Sequence, residues 1–256
     1  MRFLLALVAT ATAYAQLGPP PAKPKPARNA KEGAPVDLTG YWVSVVTEDW
    51  RWRMVTPAVG DFAGIPLTAE GRKIGNAWDP AKDEAAGEQC RSYGAPAIMR
   101  IPGRLRITWA DDNTLQIDAD QGTQTRLLHF GGKPTLGAAP TWQGYSVAQW
   151  EPPVRGSGSP QQGLGATREG NRGRSLEVVT TQIRPGYLRK NGPPYSGNTV
   201  LREFFDLSVE RNGDPWFVVT TIVEDPQNLS EPFVTSTNFK KQKDAMGFSP
   251  TACTSR

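Results

Sequence analysis

The sequence predicts an all-β protein, an antiparallel up-and-down barrel of about ten strands with a short helical insert near the N-terminus. Short runs of alternating apolar and polar residues recur along the chain, and turn residues separate them. Helical periodicity is confined to one early stretch, and strands and helices do not alternate regularly. A closed sandwich of two sheets produces the same alternation, so the pattern leaves barrel and sandwich open.

The first residues are predicted to be removed from the mature chain. Arg2 precedes an apolar run, and Ala13-Tyr14-Ala15 has the small-x-small form of a signal-peptidase site, so we expect residues 1–15 to be a signal peptide cleaved near Ala15. The apolar run is near half of the roughly 20 residues that a membrane span needs. The mature chain is therefore predicted to be periplasmic or extracellular, with no membrane insertion.

Residues 16–36 are basic and proline-rich, which predicts a solvated linker to a single domain at residues 37–256. The linker has a net charge of +3 and Arg2 lies in the signal peptide, so the overall charge of +4 leaves the domain neutral. A groove for nucleic acid needs its positive charge on the folded domain. No nucleic-acid partner is expected.

The N-terminal part of the domain is predicted to contain two strands and then two helices. Trp50 and Trp52 alternate with arginines, which predicts a strand over Asp49–Val55 with the two indole rings on one face. Thr68 is a suitable N-cap for the first helix, and Asp79-Pro80 begins the second.

Strands follow one another from there to the C-terminus. The ten predicted strands cover residues 40–46, 49–55, 104–109, a run through Leu115 and Ile117, 123–130, 141–150, 176–183, 200–209, 215–223 and 233–240. Residues 151–174 form the longest irregular segment, which is typical either of a functional lid or of a disordered loop.

Cys90 and Cys253 are the only cysteines of the chain. In an exported protein two cysteines indicate one disulfide, although two free thiols remain the alternative. With a single histidine, the chain offers no set of four zinc ligands at a regular spacing. No metal and no cofactor are predicted.

Several segments resemble known proteins. Asp37–Trp42 is similar to the Gly-x-Trp signature that opens lipocalin-type barrels. The later segments are Cys90 with Gly94-Ala95-Pro96, Thr141–Ser146 with Trp150-Glu151, Gly192–Ser196, and Thr220–Pro226, which contains Thr-Ile-Val-Glu-Asp-Pro. Together they resemble a large family of secreted bacterial proteins without an assigned reaction. The resemblance implies export and a lipocalin-like barrel over about residues 36–253.

The resemblance also limits what can be inferred about chemistry. In many members of that family, histidine stands where this chain has Tyr145 and Tyr195. A metal-binding or general-base role built on those histidines therefore does not transfer to this chain.

One carboxylate is out of place in the strand pattern. Glu203 alternates with Leu201 and Phe205, so it is predicted to point into the interior, where a charge needs a partner. Arg126 occupies a similar position on its own strand, and we expect an inward Arg126–Glu203 pair. Such a pair is either a structural salt bridge or a group that orients a ligand or moves a proton.

These residues suggest two functions. The first is an exported barrel that binds a small, partly apolar or aromatic molecule at a mouth lined by Trp50, Trp52, Arg126, Tyr145, Tyr195 and Glu203. The alternative is an enzyme, a lyase, isomerase or hydrolase, in which Glu203 is the base and Tyr145 or Tyr195 donates a hydrogen bond to a developing oxyanion. The enzyme requires Glu203 and a tyrosine hydroxyl to converge on one point.

Overall fold

The computed structural model describes residues 29–151 and 175–256, and within these residues nine strands form one closed barrel. Around the barrel the strands follow in the order Gly40–Val45, Phe233–Gln242, Pro215–Glu224, Val200–Val209, Leu176–Thr181, Tyr145–Trp150, Gln124–Phe130, Thr114–Ala119 and Arg104–Asp111, and the last of these pairs with the first to close the sheet. The predicted all-β barrel is confirmed, and the sandwich alternative is excluded. The predicted signal peptide, most of the linker and residues 152–174 lie outside the described residues.

The strands are β1 (Gly40–Val45), β2 (Arg104–Asp111), β3 (Thr114–Ala119), β4 (Gln124–Phe130), β5 (Tyr145–Trp150), β6 (Leu176–Thr181), β7 (Gly186–Tyr187), β8 (Pro194–Tyr195), β9 (Val200–Val209), β10 (Pro215–Glu224) and β11 (Phe233–Gln242). The helices are α1 (Trp50–Arg53), α2 (Ala69–Asn76), α3 (Pro80–Ala85) and α4 (Ala95–Ile98), with 3₁₀ turns at Gln89–Tyr93 and Gln121–Thr123.

The prediction of a strand over Asp49–Val55 is wrong, and this accounts for nine barrel strands instead of ten. Asp49 adopts a left-handed conformation with φ 50° and starts the single-turn helix α1. Seven residues are too short a run to fix the period, and in the helical turn Trp50 and Trp52 lie on different sides because residues i and i+2 are about 200° apart. The predicted helix caps are confirmed, because the side chains of Thr68 and Asp79 accept hydrogen bonds from Gly71 N and Ala81 N.

One strand pair departs from the predicted antiparallel arrangement. β4 and β5 are parallel, with Leu128 opposite Ser146, while the other neighbouring strands of the barrel are antiparallel. A parallel pair cannot be joined by a tight hairpin, so the chain returns through residues 131–144 before β5 begins. The barrel is therefore mixed.

The barrel interior is packed with large side chains. Trp42 lies edge-on to Phe217 with ring centroids 4.5 Å apart, and Phe217 stacks on Phe239 at 4.8 Å. The Trp42 indole donates a hydrogen bond to Leu38 O at 2.9 Å, which satisfies its polar atom inside the core. Ile107, Leu115 and other buried apolar residues pack with these rings, and this group is called the first cluster.

A second apolar cluster closes one end of the barrel. It joins Leu201 of β9, Val223 of β10 and Phe233 of β11, which lie at the same end of their strands, to two insertions. Residues 46–103 form the insertion between β1 and β2, and residues 182–199 form the one between β6 and β9. The two insertions together are called the cap below.

Two of the segments used for the family resemblance meet in this region. The Asp225 carboxylate accepts hydrogen bonds from Ser196 N at 2.6 Å, Ser196 Oγ at 2.8 Å and Asn228 Nδ2 at 2.9 Å. Gln227 N also bonds to this carboxylate at 3.1 Å, as expected for a side chain that holds the turn after β10. Asp225 thus fixes the cap to a strand end of the barrel.

Cys90 and Cys253 form the predicted disulfide, which is confirmed with a Cα–Cα distance of 5.1 Å. It fastens the C-terminal segment to the 3₁₀ turn of the cap across 163 residues of sequence. At the other terminus, Lys31 N donates to Asp112 O at 3.0 Å, so the described end of the predicted linker contacts the β2–β3 turn. Among the described helices, none has the length and apolar character of a membrane span.

Replacing both cysteines by serine should lower the free energy of unfolding by about 2–5 kcal/mol, because the disulfide closes a long loop in the unfolded chain. Urea denaturation of the oxidised parent and of the Cys90→Ser/Cys253→Ser variant measures this difference. The reduced parent should match the variant, and equal stability of the oxidised parent and the variant would contradict the expectation.

Candidate functional site

The predicted pair of Arg126 and Glu203 is confirmed inside the barrel. Arg126 Nη1 lies 3.0 Å from Glu203 Oε1 and Nη2 lies 2.5 Å from Oε2, which makes the contact bidentate. The residues are 2% and 0% exposed, respectively. Two parallel charge-assisted hydrogen bonds satisfy both carboxylate oxygens, so the interior charges compensate each other one to one.

Hydroxyl groups from neighbouring strands extend this contact into a buried polar layer. Thr180 Oγ1 lies 3.4 Å from Arg126 Nη2 and 2.8 Å from Ser146 Oγ. Thr221, which lies opposite Glu203 on β10, is also buried. The layer lies between the two apolar clusters, because Glu203 stands between Leu201 of the second cluster and Phe205 of the first on β9.

The structure does not bring Glu203, Tyr145 and Tyr195 together. Tyr145 stacks on His129 with ring centroids 4.7 Å apart, and both residues alternate with the inward residues of β4 and β5, so this stack lies on the outer face of the barrel. Tyr195 is buried in the second cluster, and burial raises the pKa of its hydroxyl well above the usual range. The convergence that the enzyme hypothesis requires is absent from this arrangement.

Tyr195 is held by close contact with two glycines. A Cβ atom at Gly94 or at Gly186 would collide with its hydroxyl group. Gly94 belongs to the Gly-Ala-Pro segment and Tyr195 to the Gly-Pro-Pro-Tyr-Ser segment noted in the sequence. These residues therefore share a packing role in the cap.

An open pocket of about 290 Å³ lies in the cap, and Trp52 is the one predicted ligand-binding residue that lines it. Residues 52–57 form one side, residues 97–102 another, and Leu188 to Lys190 a third. Trp50, by contrast, is 66% exposed on the outer side of α1. The six predicted residues therefore do not share one mouth, since Arg126 and Glu203 lie inside the barrel, Tyr145 lies on its outer face and Tyr195 lies in the second cluster.

Three arginines are the main polar residues of this pocket, which we call the arginine pocket. Arg53, Arg100 and Arg189 are at most 8% exposed. Arg53 forms an ion pair with Glu48 and donates from Nε to Arg100 O at 2.9 Å. Arg100 Nη2 donates to Asp49 Oδ2 at 2.8 Å.

Arg189 has a different environment. Its Nη2 donates to Ala63 O at 2.9 Å, and its guanidinium lies 5.5 Å from the ring centroid of Trp52. In the described parts of the chain, Arg189 makes no ion pair with a carboxylate. Burial, and next the charge of Arg100, lower the pKa of Arg189 to about 10, an effect that Asp49 and Asp61 oppose, and Arg189 remains a cation near neutral pH.

The pocket thus has fewer carboxylates in direct contact with its arginines than it has guanidinium groups, while Asp49 and Asp61 act on Arg189 from beyond ion-pair distance. Three guanidinium groups face two directly bonded carboxylates, those of Glu48 and Asp49. Burial also lowers the pKa of Arg53, an effect opposed by Glu48 and reinforced by Arg100. A buried cation without a directly bonded carboxylate costs free energy unless another anion compensates it.

The residues lining the arginine pocket also hold five buried nitrogen atoms that lack an acceptor among the described residues. They are Nη2 of Arg53, Nη1 of Arg100, Nε and Nη1 of Arg189, and Nε1 of Trp52. Because most buried polar groups in native proteins are hydrogen-bonded, these five donors are available to acceptors that enter the pocket, either water or a bound molecule.

Sequence reasoning did not identify this arginine set. Arg53 was expected to lie on a strand face, and Arg100 and Arg189 belong to separate insertions that are 89 positions apart in the sequence. No short-range spacing relates the three residues.

A scan against protein-family models, a search of curated proteins and a search of solved structures each found no match to this chain.

The variant Glu203→Gln should be less stable than the parent by about 3–5 kcal/mol, because it leaves the Arg126 guanidinium buried without a counter-charge. Urea denaturation monitored by circular dichroism measures the loss. The matched control is Glu210→Gln, which removes an exposed carboxylate just after the same strand and should change stability by less than about 0.5 kcal/mol.

The double variant Arg126→Met/Glu203→Leu removes both charges and should lose less stability than Glu203→Gln alone. A double variant that is at least as unstable as the single one would show that the loss does not come from the unpaired arginine.

Proposed function

We propose that this protein binds a small, partly apolar molecule that carries a negatively charged group, and that the arginine pocket is the binding site. The observation that supports the proposal is the set of five unpaired donors on residues lining the pocket. A carboxylate, sulfate or phosphate group supplies several acceptor sites, and guanidinium groups bind such oxyanions through charge-assisted hydrogen bonds.

The size of the pocket supports a small ligand. A volume of about 290 Å³ is close to the lower end of the range of roughly 300–1,000 Å³ that is typical of small-molecule sites. Trp52 provides an aromatic wall, and Ile101 and Leu188 add apolar surface beside the arginines. Polar anchors beside apolar and aromatic side chains are the usual composition of a ligand-binding pocket.

We further propose that the protein works outside the cytoplasm, as a member of the secreted barrel family that its sequence resembles. The Cys90–Cys253 disulfide supports export, because disulfides persist in oxidising compartments. The predicted signal peptide over residues 1–15 supports it independently.

Benzoate is a suitable first probe for the arginine pocket, with benzamide as its uncharged counterpart. Benzoate should bind to the parent, and Arg189→Gln should weaken binding by about tenfold to a hundredfold, because a hydrogen bond to a charged group contributes about 1.5–3 kcal/mol. The affinity of Arg189→Lys for benzoate should lie between those of the parent and of Arg189→Gln, since lysine keeps the charge but lacks the planar guanidinium group. Isothermal titration calorimetry at low salt measures these affinities.

The control variant is Arg211→Gln, which removes an exposed arginine from the β9–β10 turn at the opposite end of the barrel. Its affinity for benzoate should equal that of the parent. Equal affinities for benzoate and benzamide would contradict an anion site, as would an unchanged affinity in Arg189→Gln.

A further inference from the structure

We infer that the ligand of the arginine pocket is an amphiphilic anion, whose charged head group binds to the arginines and whose alkyl chain leaves the pocket over Met54, Val55 and Trp50. The inference rests on the proposed function, because it assigns the chemical class of the ligand at the same site. It depends on how apolar side chains are distributed within the pocket and around its rim.

The inner end and the rim of the pocket differ in chemistry. Arg53 and Arg100 are buried, and their carboxylate partners hold them in place. Met54 and Val55 follow Arg53 directly in the sequence and also line the pocket, yet they are 60% and 66% exposed. A ligand that contacts both regions must combine a charged group with an apolar one.

The apolar surface continues beyond the pocket. Trp50 precedes Met54 by four residues, and in the turn formed by α1 and its C-cap this spacing places both side chains on one side. Both are more than half exposed. Single exposed apolar residues are common, but three large ones within six positions, continuous with a cationic pocket, form a strip that an alkyl chain can cover.

The backbone at Asp49 connects the arginine pocket to the apolar strip. Asp49, in its left-handed conformation, begins α1 and at the same time pairs with Arg100. The residue that orients one arginine of the pocket therefore also directs Trp50 and Met54 to the outside.

The volume of the pocket determines how long the alkyl chain of the ligand must be to reach the apolar strip. About 290 Å³ accommodates a head group and a short apolar segment. Longer chains extend past the rim, where each methylene that is removed from water adds to the binding free energy. At about 0.8 kcal/mol for a fully buried methylene, the affinity rises by up to about fourfold with each added carbon.

The experiment is a calorimetric titration of the full-length mature protein with butanoate, hexanoate, octanoate and decanoate below their micelle concentrations. The affinity should rise by about twofold to fourfold for each methylene beyond the shortest acids. Octyl sulfate and octyl phosphate, tested at the same chain length, determine which oxyanion the arginines prefer.

The test variant is Trp50→Gln, which makes polar the part of the strip that does not line the pocket. It should reduce the rise in affinity per methylene and leave the affinity for benzoate within about twofold of the parent. The control is Leu136→Gln, which changes a 96% exposed leucine in the β4–β5 connection and should preserve the dependence on chain length.

The possible outcomes separate this inference from the proposed function. Binding of benzoate with no dependence on chain length overturns the amphiphile but leaves the anion site in place. No affinity for benzoate or for any of the acids overturns both. Sedimentation with vesicles of phosphatidylglycerol and phosphatidylcholine, without affinity for monomeric octanoate, also overturns the inference, because the strip would then act on a membrane surface.

Discussion

Hydrogen bonding between β1 and β2 joins the first and last strands of the sheet order and closes the barrel. Closure leaves the sheet without free edges, and it also encloses a space that side chains must fill. Trp42, Phe217 and Phe239 meet across that space. Because the interior is packed, the chain builds its open pocket from the insertions that leave the barrel at one end.

Two groups of buried charges in this molecule differ in their compensation. Arg126 and Glu203 match one cation with one carboxylate, and both carboxylate oxygens accept a hydrogen bond. The arginine pocket instead sets three guanidinium groups against two bonded carboxylates, and five nitrogen atoms of its lining residues have no acceptor among residues 29–151 and 175–256, whereas Arg126 has one such atom, Nε. A pair with matched charges is consistent with a structural role, whereas several unpaired donors on residues that line an open pocket are typical of a site that receives another molecule.

The cap is attached firmly enough to hold the pocket in a defined geometry. The disulfide fastens the C-terminus to the turn before α4, and Asp225 binds the backbone of Ser196 across a strand end. Arg100 and Arg189, which come from different insertions, are held near each other by this framework. Preorganised side chains of this kind lower the entropic cost of binding a ligand.

The sequence alone determined the features that depend on local pattern. Alternation of apolar and polar residues predicted nine of the ten proposed strands correctly, and cap residues located the starts of α2 and α3. The disulfide between Cys90 and Cys253 was predictable because an exported chain with two cysteines usually pairs them. Even the Arg126–Glu203 pair was predictable, because each residue interrupts an apolar strand face and a buried charge needs a partner.

Tertiary structure alone decided the rest. The period of two residues over Asp49–Val55 predicts a strand, whereas the folded chain forms a single helical turn that begins at Asp49 in a left-handed conformation. The parallel pairing of β4 with β5 depends on the path of a connection that has no periodic pattern. The arginine pocket combines residues from distant segments, and their proximity results from packing of the cap on a closed barrel and not from any spacing along the chain.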